Sequence, residues 1–111
     1  MNSEQRRAAV HDYKERKAEA GIYALRCTPT GEVWVGRAGD VDAARNRLLF
    51  AVRLASTPHR ALAAAARAYG EAGFAYEVLE RLEEALTPAM QTLALKQRLK
   101  HWAEALGATA I

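Results

Sequence analysis

Residues Gly21 to Gly36 read GIYALRCTPTGEVWVG, and this stretch decides the fold. Gly21 to Cys27 is rich in residues that suit a strand, and Glu32 to Gly36 is a second such run. Thr28-Pro29-Thr30-Gly31 between them carries the proline and glycine of a turn. The pair reads as a β-hairpin. If Cys27 pairs with Glu32 across the turn, Leu25 pairs with Trp34, and Tyr23, Leu25 and Trp34 share one face. A one-residue slip would separate the two rings.

Outward from the hairpin, helical signals dominate. Residues 3–18 read as a charged, peripheral helix with a narrow stripe of Val10, Tyr13 and Lys17. After the hairpin, Asp40 suits the cap of a helix running to about Ala55. Val41, Ala44, Leu48, Val52 and Ala55 form its main stripe. Phe50 and Leu54 form a second face, so this helix is expected to be nearly enclosed. Thr57-Pro58 is a cap and first-position pair, which starts a new helix there, ending at Gly70. Phe74 to Leu79 alternates as a third strand. Thr87-Pro88 repeats the capping pair before a helix with Leu95, Leu99, Trp102 and Leu106 on one stripe and Gly107 as its stop. The expected fold is α+β, a small three-stranded antiparallel sheet flanked by helices in the order α-β-β-α-α-β-α. The expected organisation is a helical extension over 1–20 and one domain over 21–111.

Composition narrows the function classes. The chain has 111 residues, of which 25 are alanine, so the core is thin and helix-rich. No apolar run spans a membrane, and the charged N-terminus excludes a secretory leader. The single cysteine, Cys27, excludes a disulfide framework and suits a reducing cytoplasm. Twelve arginines and four lysines face thirteen acidic residues, a net +3. That charge is unevenly spread. Arg37 to Arg67 holds six arginines against Asp40 and Asp42, whereas Glu71 to Glu84 holds five glutamates against Arg81. The first segment suits an anion, because a guanidinium fork matches phosphate. The second would repel a long duplex and suits a protein partner.

Gly21-Ile22-Tyr23 and Trp34-Val35-Gly36, ten residues apart, resemble the paired tripeptides of the GIY-YIG nuclease family. That family follows its hairpin with an arginine-bearing helix, another helix, a third strand and a helix with a metal-binding glutamate. The order from Gly21 to Leu106 is similar. The stretch with His59, Leu62, Gly70, Gly73, Phe74 and Val78-Leu79-Glu80 also looks like the family's. Within the family, the chain looks most like small bacterial stand-alone and regulator-associated members with eroded catalytic residues.

The resemblance implies DNA as partner and, if active, a phosphodiester endonuclease dependent on Mg²⁺ or Mn²⁺. It implies that Tyr23 is the general base or the residue that orients the attacking water. A phenol titrates near pKa 10 and needs a cation nearby for that role. Trp34 stands at the second tyrosine. It keeps a ring that can pack or stack on a base, but it has no hydroxyl. The phosphate-holding arginine is Arg45 or Arg47, with Asn46-Arg47 favouring Arg47. A structural alternative pairs that arginine with Glu77 or Glu80. Arg37 and His59 are further candidates for nucleic-acid contact. The metal-binding glutamate, counted back from Trp102, falls on Leu99. Leucine cannot bind a hard cation, and Glu77, on the third strand, is the one plausible substitute ligand. The implied metal set is therefore empty. The alternative function is a non-catalytic regulatory or protein-interaction domain on the same fold.

Overall fold

The computed structural model describes residues 18–83 and 85–111. All but the last residue of the helix expected over 3–18 lies outside them. Strands β1 (Gly21–Cys27) and β2 (Glu32–Ala38) form the hairpin, followed by helices α1 (Val41–Arg53) and α2 (Arg60–Tyr69). A single 3₁₀ turn leads into β3 (Phe74–Arg81), then helix α3 (Pro88–Leu106) and a short β4 (Thr109–Ala110). The sheet order is β3-β1-β2-β4. β1 pairs antiparallel with both β2 and β3, and β4 lies parallel to β2.

The expected three-stranded antiparallel sheet is thus a mixed four-stranded one. β4 escaped the sequence reading because it is two residues long and follows the Gly107 stop directly. Its place is fixed by parallel pairing of Trp34 with Thr109 and Val35 with Ala110, and by the Ile111 N–H donating to the Val35 carbonyl at 2.8 Å.

The hairpin register is the expected one. Cys27 faces Glu32, Leu25 faces Trp34, and Tyr23 faces Gly36. Alternation then divides the strands into two faces. Leu25, Cys27, Trp34 and Phe74 pack against Val52 of α1 and Leu62, Ala65 and Ala66 of α2. On the same face, Tyr23 packs with Ala38, Val41 and Ala44. Ile22 points the other way, into a cluster with Leu95, Leu99 and Trp102 of α3. Alanines on α2 let that helix approach the sheet closely, so a chain poor in bulky residues still closes its core.

Two helix starts follow the capping chemistry and one departs from it. Asp40 caps α1 by accepting from the Asp42 and Ala43 N–H groups. Thr87 caps α3, accepting from the Met90 N–H, with Pro88 at the first position. Thr57 does not start α2. Its hydroxyl accepts from the His59 N–H at 3.3 Å, which builds a local turn and delays the helix to Arg60. The enclosed second face expected on α1 is also open. Phe50 and Leu54 are each 59% exposed, because α2 crosses beside Val52 instead of over them. Among the described residues, no helix is long and apolar enough to cross a membrane.

Candidate nucleic-acid interface

The site is assembled where α1, the loop Ser56–His59 and the start of α2 meet the cleft-side face of the hairpin. Tyr23, Arg47 and His59 line one cleft of about 390 Å³. Leu48, Ala51 and Val52 of α1, Pro58, Leu62 and Ile111 supply an apolar wall. Ala55, just before this loop, has a left-handed φ of 50°. Such a conformation costs a non-glycine residue about 1–2 kcal/mol.

Tyr23 owes its position to two glycines. Its ring lies over Gly36, so a Cβ at position 36 would fall inside the phenol. Gly21 begins the strand where β1 meets a bulge in its pairing with β3, and a Cβ there would strike the Glu80 carbonyl. The second and third letters of the tripeptides do different work. Ile22 is fully buried on the α3 side, while Tyr23 is 5% exposed at the cleft.

Tyr76 is a residue the sequence reading passed over. It stacks on Tyr23 with centroids 5.4 Å apart and planes at 25°, and its hydroxyl donates to the Val41 carbonyl. The alternation Phe74, Tyr76, Val78 already placed it on the Tyr23 face, diagonal to that ring. Burial pushes the Tyr76 phenol up to about 12, and Tyr23 and Asp42 push in the same direction against Arg47 and Arg81. Burial also raises Tyr23, with Arg47 opposing. Tyr23 is therefore protonated at neutral pH, which leaves its hydroxyl able to donate a hydrogen bond. A general base would require the opposite shift.

Of the two candidate arginines, Arg47 lines the cleft and Arg45 does not. Arg47 makes no ion pair among the described residues. The glutamates that might have held it are engaged elsewhere. Glu77 pairs with Arg26 at 3.1 Å, and Glu80 accepts from Arg98 at 2.7 Å and Trp102 at 2.8 Å. Asp42 holds Arg81 in a two-pronged contact at 2.7 and 2.9 Å.

The other candidates separate from the cleft. Trp34 is 2% exposed, with its ring 6.2 Å from that of Phe74, so it has no face for a base and acts as core. Arg37 pairs with Ile22 and points to the α3 side of the sheet. Leu99 packs with Ile22, Leu95 and Trp102 on that same side. The position at which a metal-binding carboxylate was expected is thus turned away from Tyr23, and its leucine is explained by the core it fills. Glu77 pairs with Ala24, next to Tyr23 along β1, and so also faces away from the cleft.

No protein-family model matches the chain, and no curated protein is matched by it. Among solved structures, the catalytic domain of the homing endonuclease I-TevI is similar, with a TM-score of 0.68 and 21% identity over 83% of this chain and 97% of that one. A mutant form of the catalytic domain of intron endonuclease I-TevI gives 0.66 and 20% over 80% and 84%. The chain has a GIY-YIG-like fold. At this identity the likeness concerns the backbone, and function rests on the side chains in the cleft.

Those side chains do not fit the divalent metal that a GIY-YIG-like nuclease site implies. Among the described residues, no side-chain carboxylate lines the cleft. Among the described residues, no group of three His, Cys, Asp or Glu side chains is placed to hold a metal. Mg²⁺ and Mn²⁺ seek several oxygen ligands, at least some of them charged. His59 with neutral hydroxyls is not such a set.

Proposed function

We propose that this chain binds nucleic acid, DNA in the first instance, through the Tyr23–Arg47–His59 cleft and does not cut it. The observation that carries this reading is Arg47, a guanidinium without an ion-pair partner, beside a protonated phenol in a cleft that no Asp or Glu side chain lines, all among the described residues. Arg47 binds the phosphate, Tyr23 donates to it, and His59 closes the other side. The same set lacks the parts of hydrolysis. Among the described residues no metal-ligand set is placed there to lower the pKa of water, and Tyr23 is shifted away from acting as a base. The phosphate contact of a nuclease is kept while the attack is not supplied.

The test is DNA binding followed by fluorescence anisotropy across a salt series. Affinity falls as salt rises, and falls again in Arg47→Ala. Incubation with Mg²⁺ or Mn²⁺ leaves supercoiled, linear and single-stranded DNA intact. Cutting that disappears in Tyr23→Phe would overturn the non-catalytic reading.

A second reading, a protein-interaction domain, draws on a different surface. Phe50 and Leu54 at the end of α1 are both 59% exposed, and apolar side chains at that spacing form one patch. DNA binding that is absent or indifferent to salt would move the function to that patch.

A further inference from the structure

The cleft is larger and more apolar than a phosphate needs. A phosphate site is made of donors, and Arg47, Tyr23 and His59 supply them. The remaining wall is mainly apolar, from Leu48 and Val52 to Leu62 and Ile111, with the Ser56 and Thr57 hydroxyls at its loop edge. Its volume of about 390 Å³ lies in the range of roughly 300–1,000 Å³ that encloses a small organic ligand. One base with its sugar fits such a space. A continuous double helix does not.

Arg47 also borders a second, smaller hollow of about 200 Å³ formed by Ala38, Gly39, Asp40, Ala43 and Ala44. The guanidinium thus stands between two hollows. The larger one is apolar. The smaller one contains the Asp40 carboxylate, already occupied in capping α1. An anion is therefore accepted at Arg47 and on the apolar side, and opposed on the other.

Resting on the nucleic-acid reading above, we infer that the cleft takes one unpaired nucleotide, with its phosphate on Arg47 and its base against the apolar wall, without a metal ion. The target is a bulge, gap or single strand. Taking a base out of an intact duplex costs a few kcal/mol, which an already unpaired base does not require. Burial of the base provides selectivity mainly through shape, since Ser56 and Thr57 are the only side chains besides the phosphate-binding set there, among the described residues, that offer a hydrogen bond.

Three labelled DNAs test this in EDTA: a paired duplex, the same duplex with one bulged nucleotide, and the same with that nucleotide abasic. The bulged duplex binds about tenfold tighter than the paired one, and the abasic form falls back to the paired value. Ala51→Leu narrows the hollow and lowers the affinity for the bulged duplex toward the paired value. Its thermal melt checks that it folds. Competition by a free mononucleotide reads the same site without any variant. It displaces the bulged strand at lower concentration than deoxyribose 5-phosphate does. Equal affinity for all three DNAs, with Arg47→Ala weakening each, overturns the inference and leaves nucleic-acid binding standing. Binding that EDTA abolishes overturns its metal-free part. A free mononucleotide that outbinds the bulged strand overturns the assignment to a polymer. Failure of every DNA to bind overturns both readings together.

Discussion

The two faces of the sheet are built from alternate residues of the same hairpin and end in opposite states. On the α3 side, Ile22, Leu95, Leu99 and Trp102 form a core, and the carboxylate of Glu80 is tied to Arg98 and Trp102. On the cleft side, a core also forms around Trp34, and it extends to Tyr23. Beyond that ring lie a cleft and an arginine without an ion-pair partner among the described residues. The α3-side core and the cleft are thus separated by a one-residue step along β1, from Ile22 to Tyr23. A charge left unpaired beside an apolar hollow is a poor way to stabilise a fold and a good way to meet an anion.

The largest effect that tests this division is at Trp34. As core, Trp34→Ala costs about 3–5 kcal/mol in urea unfolding, with Trp34→Phe costing much less. A base-stacking role would instead show as lost DNA affinity at unchanged stability, and would redraw the border between core and cleft.

Next comes Arg47. Arg47→Ala weakens DNA binding by about 1.5–3 kcal/mol, or roughly ten- to a hundredfold, and changes stability by no more than about 0.5 kcal/mol. Arg37→Ala, on the opposite face, changes binding far less. Equal losses at the two positions would mean that the nucleic acid follows charge over the surface and does not enter the cleft.

On the α3 side the corresponding change is Glu80→Gln. Burial would raise this carboxyl, but the hydrogen bonds from Trp102 and Arg98 outweigh it and hold it below its ordinary value near 4.5. The stabilisation is therefore complete above that value and disappears as pH falls through the lower folded value. Because the pair is partly exposed, Glu80→Gln costs about 1 kcal/mol at pH 7. The difference between variant and wild type shrinks in acid, and DNA affinity stays the same.

Much of this arrangement was legible in the sequence because strand alternation and capping are local rules. The register of Leu25 with Trp34 follows from the turn and the apolar pattern, and Asp40, Thr87 and Gly107 mark their helix ends. What escaped is non-local. β4 is defined only by pairing with a strand far away in sequence. Thr57-Pro58 obeys the capping rule in sequence, yet its hydroxyl satisfies a turn. Leu99 was correctly read as core, but sequence could not say that this core lies behind the sheet, on the side away from Tyr23. The choice between Arg45 and Arg47 likewise needed the cleft, since both border apolar neighbours on the helix. Tyr76 was hidden because its importance comes from the ring it supports.

Tyr76 also supplies the smallest effect and a test of how the cleft-side core sustains Tyr23. Tyr76→Phe keeps the ring that stacks on Tyr23 and removes the hydroxyl that donates to the Val41 carbonyl. At pH 7 the loss is about 0.5–1.5 kcal/mol, that of one hydrogen bond. The pH dependence separates this from a packing defect. The folded-state phenol is pushed up to about 12 from an ordinary value of 10.0, so the folded state favours the protonated form. Its contribution is complete below pH 10 and is lost as pH rises toward 12. Urea midpoints measured from neutral pH into that window fall more steeply in the wild type than in Tyr76→Phe. The slope does not vanish in the variant, because burial raises Tyr23 as well. Identical alkaline slopes would show that Tyr76 is held by its ring alone. The support beneath Tyr23 would then be the same kind of apolar packing that fills the other face of the sheet.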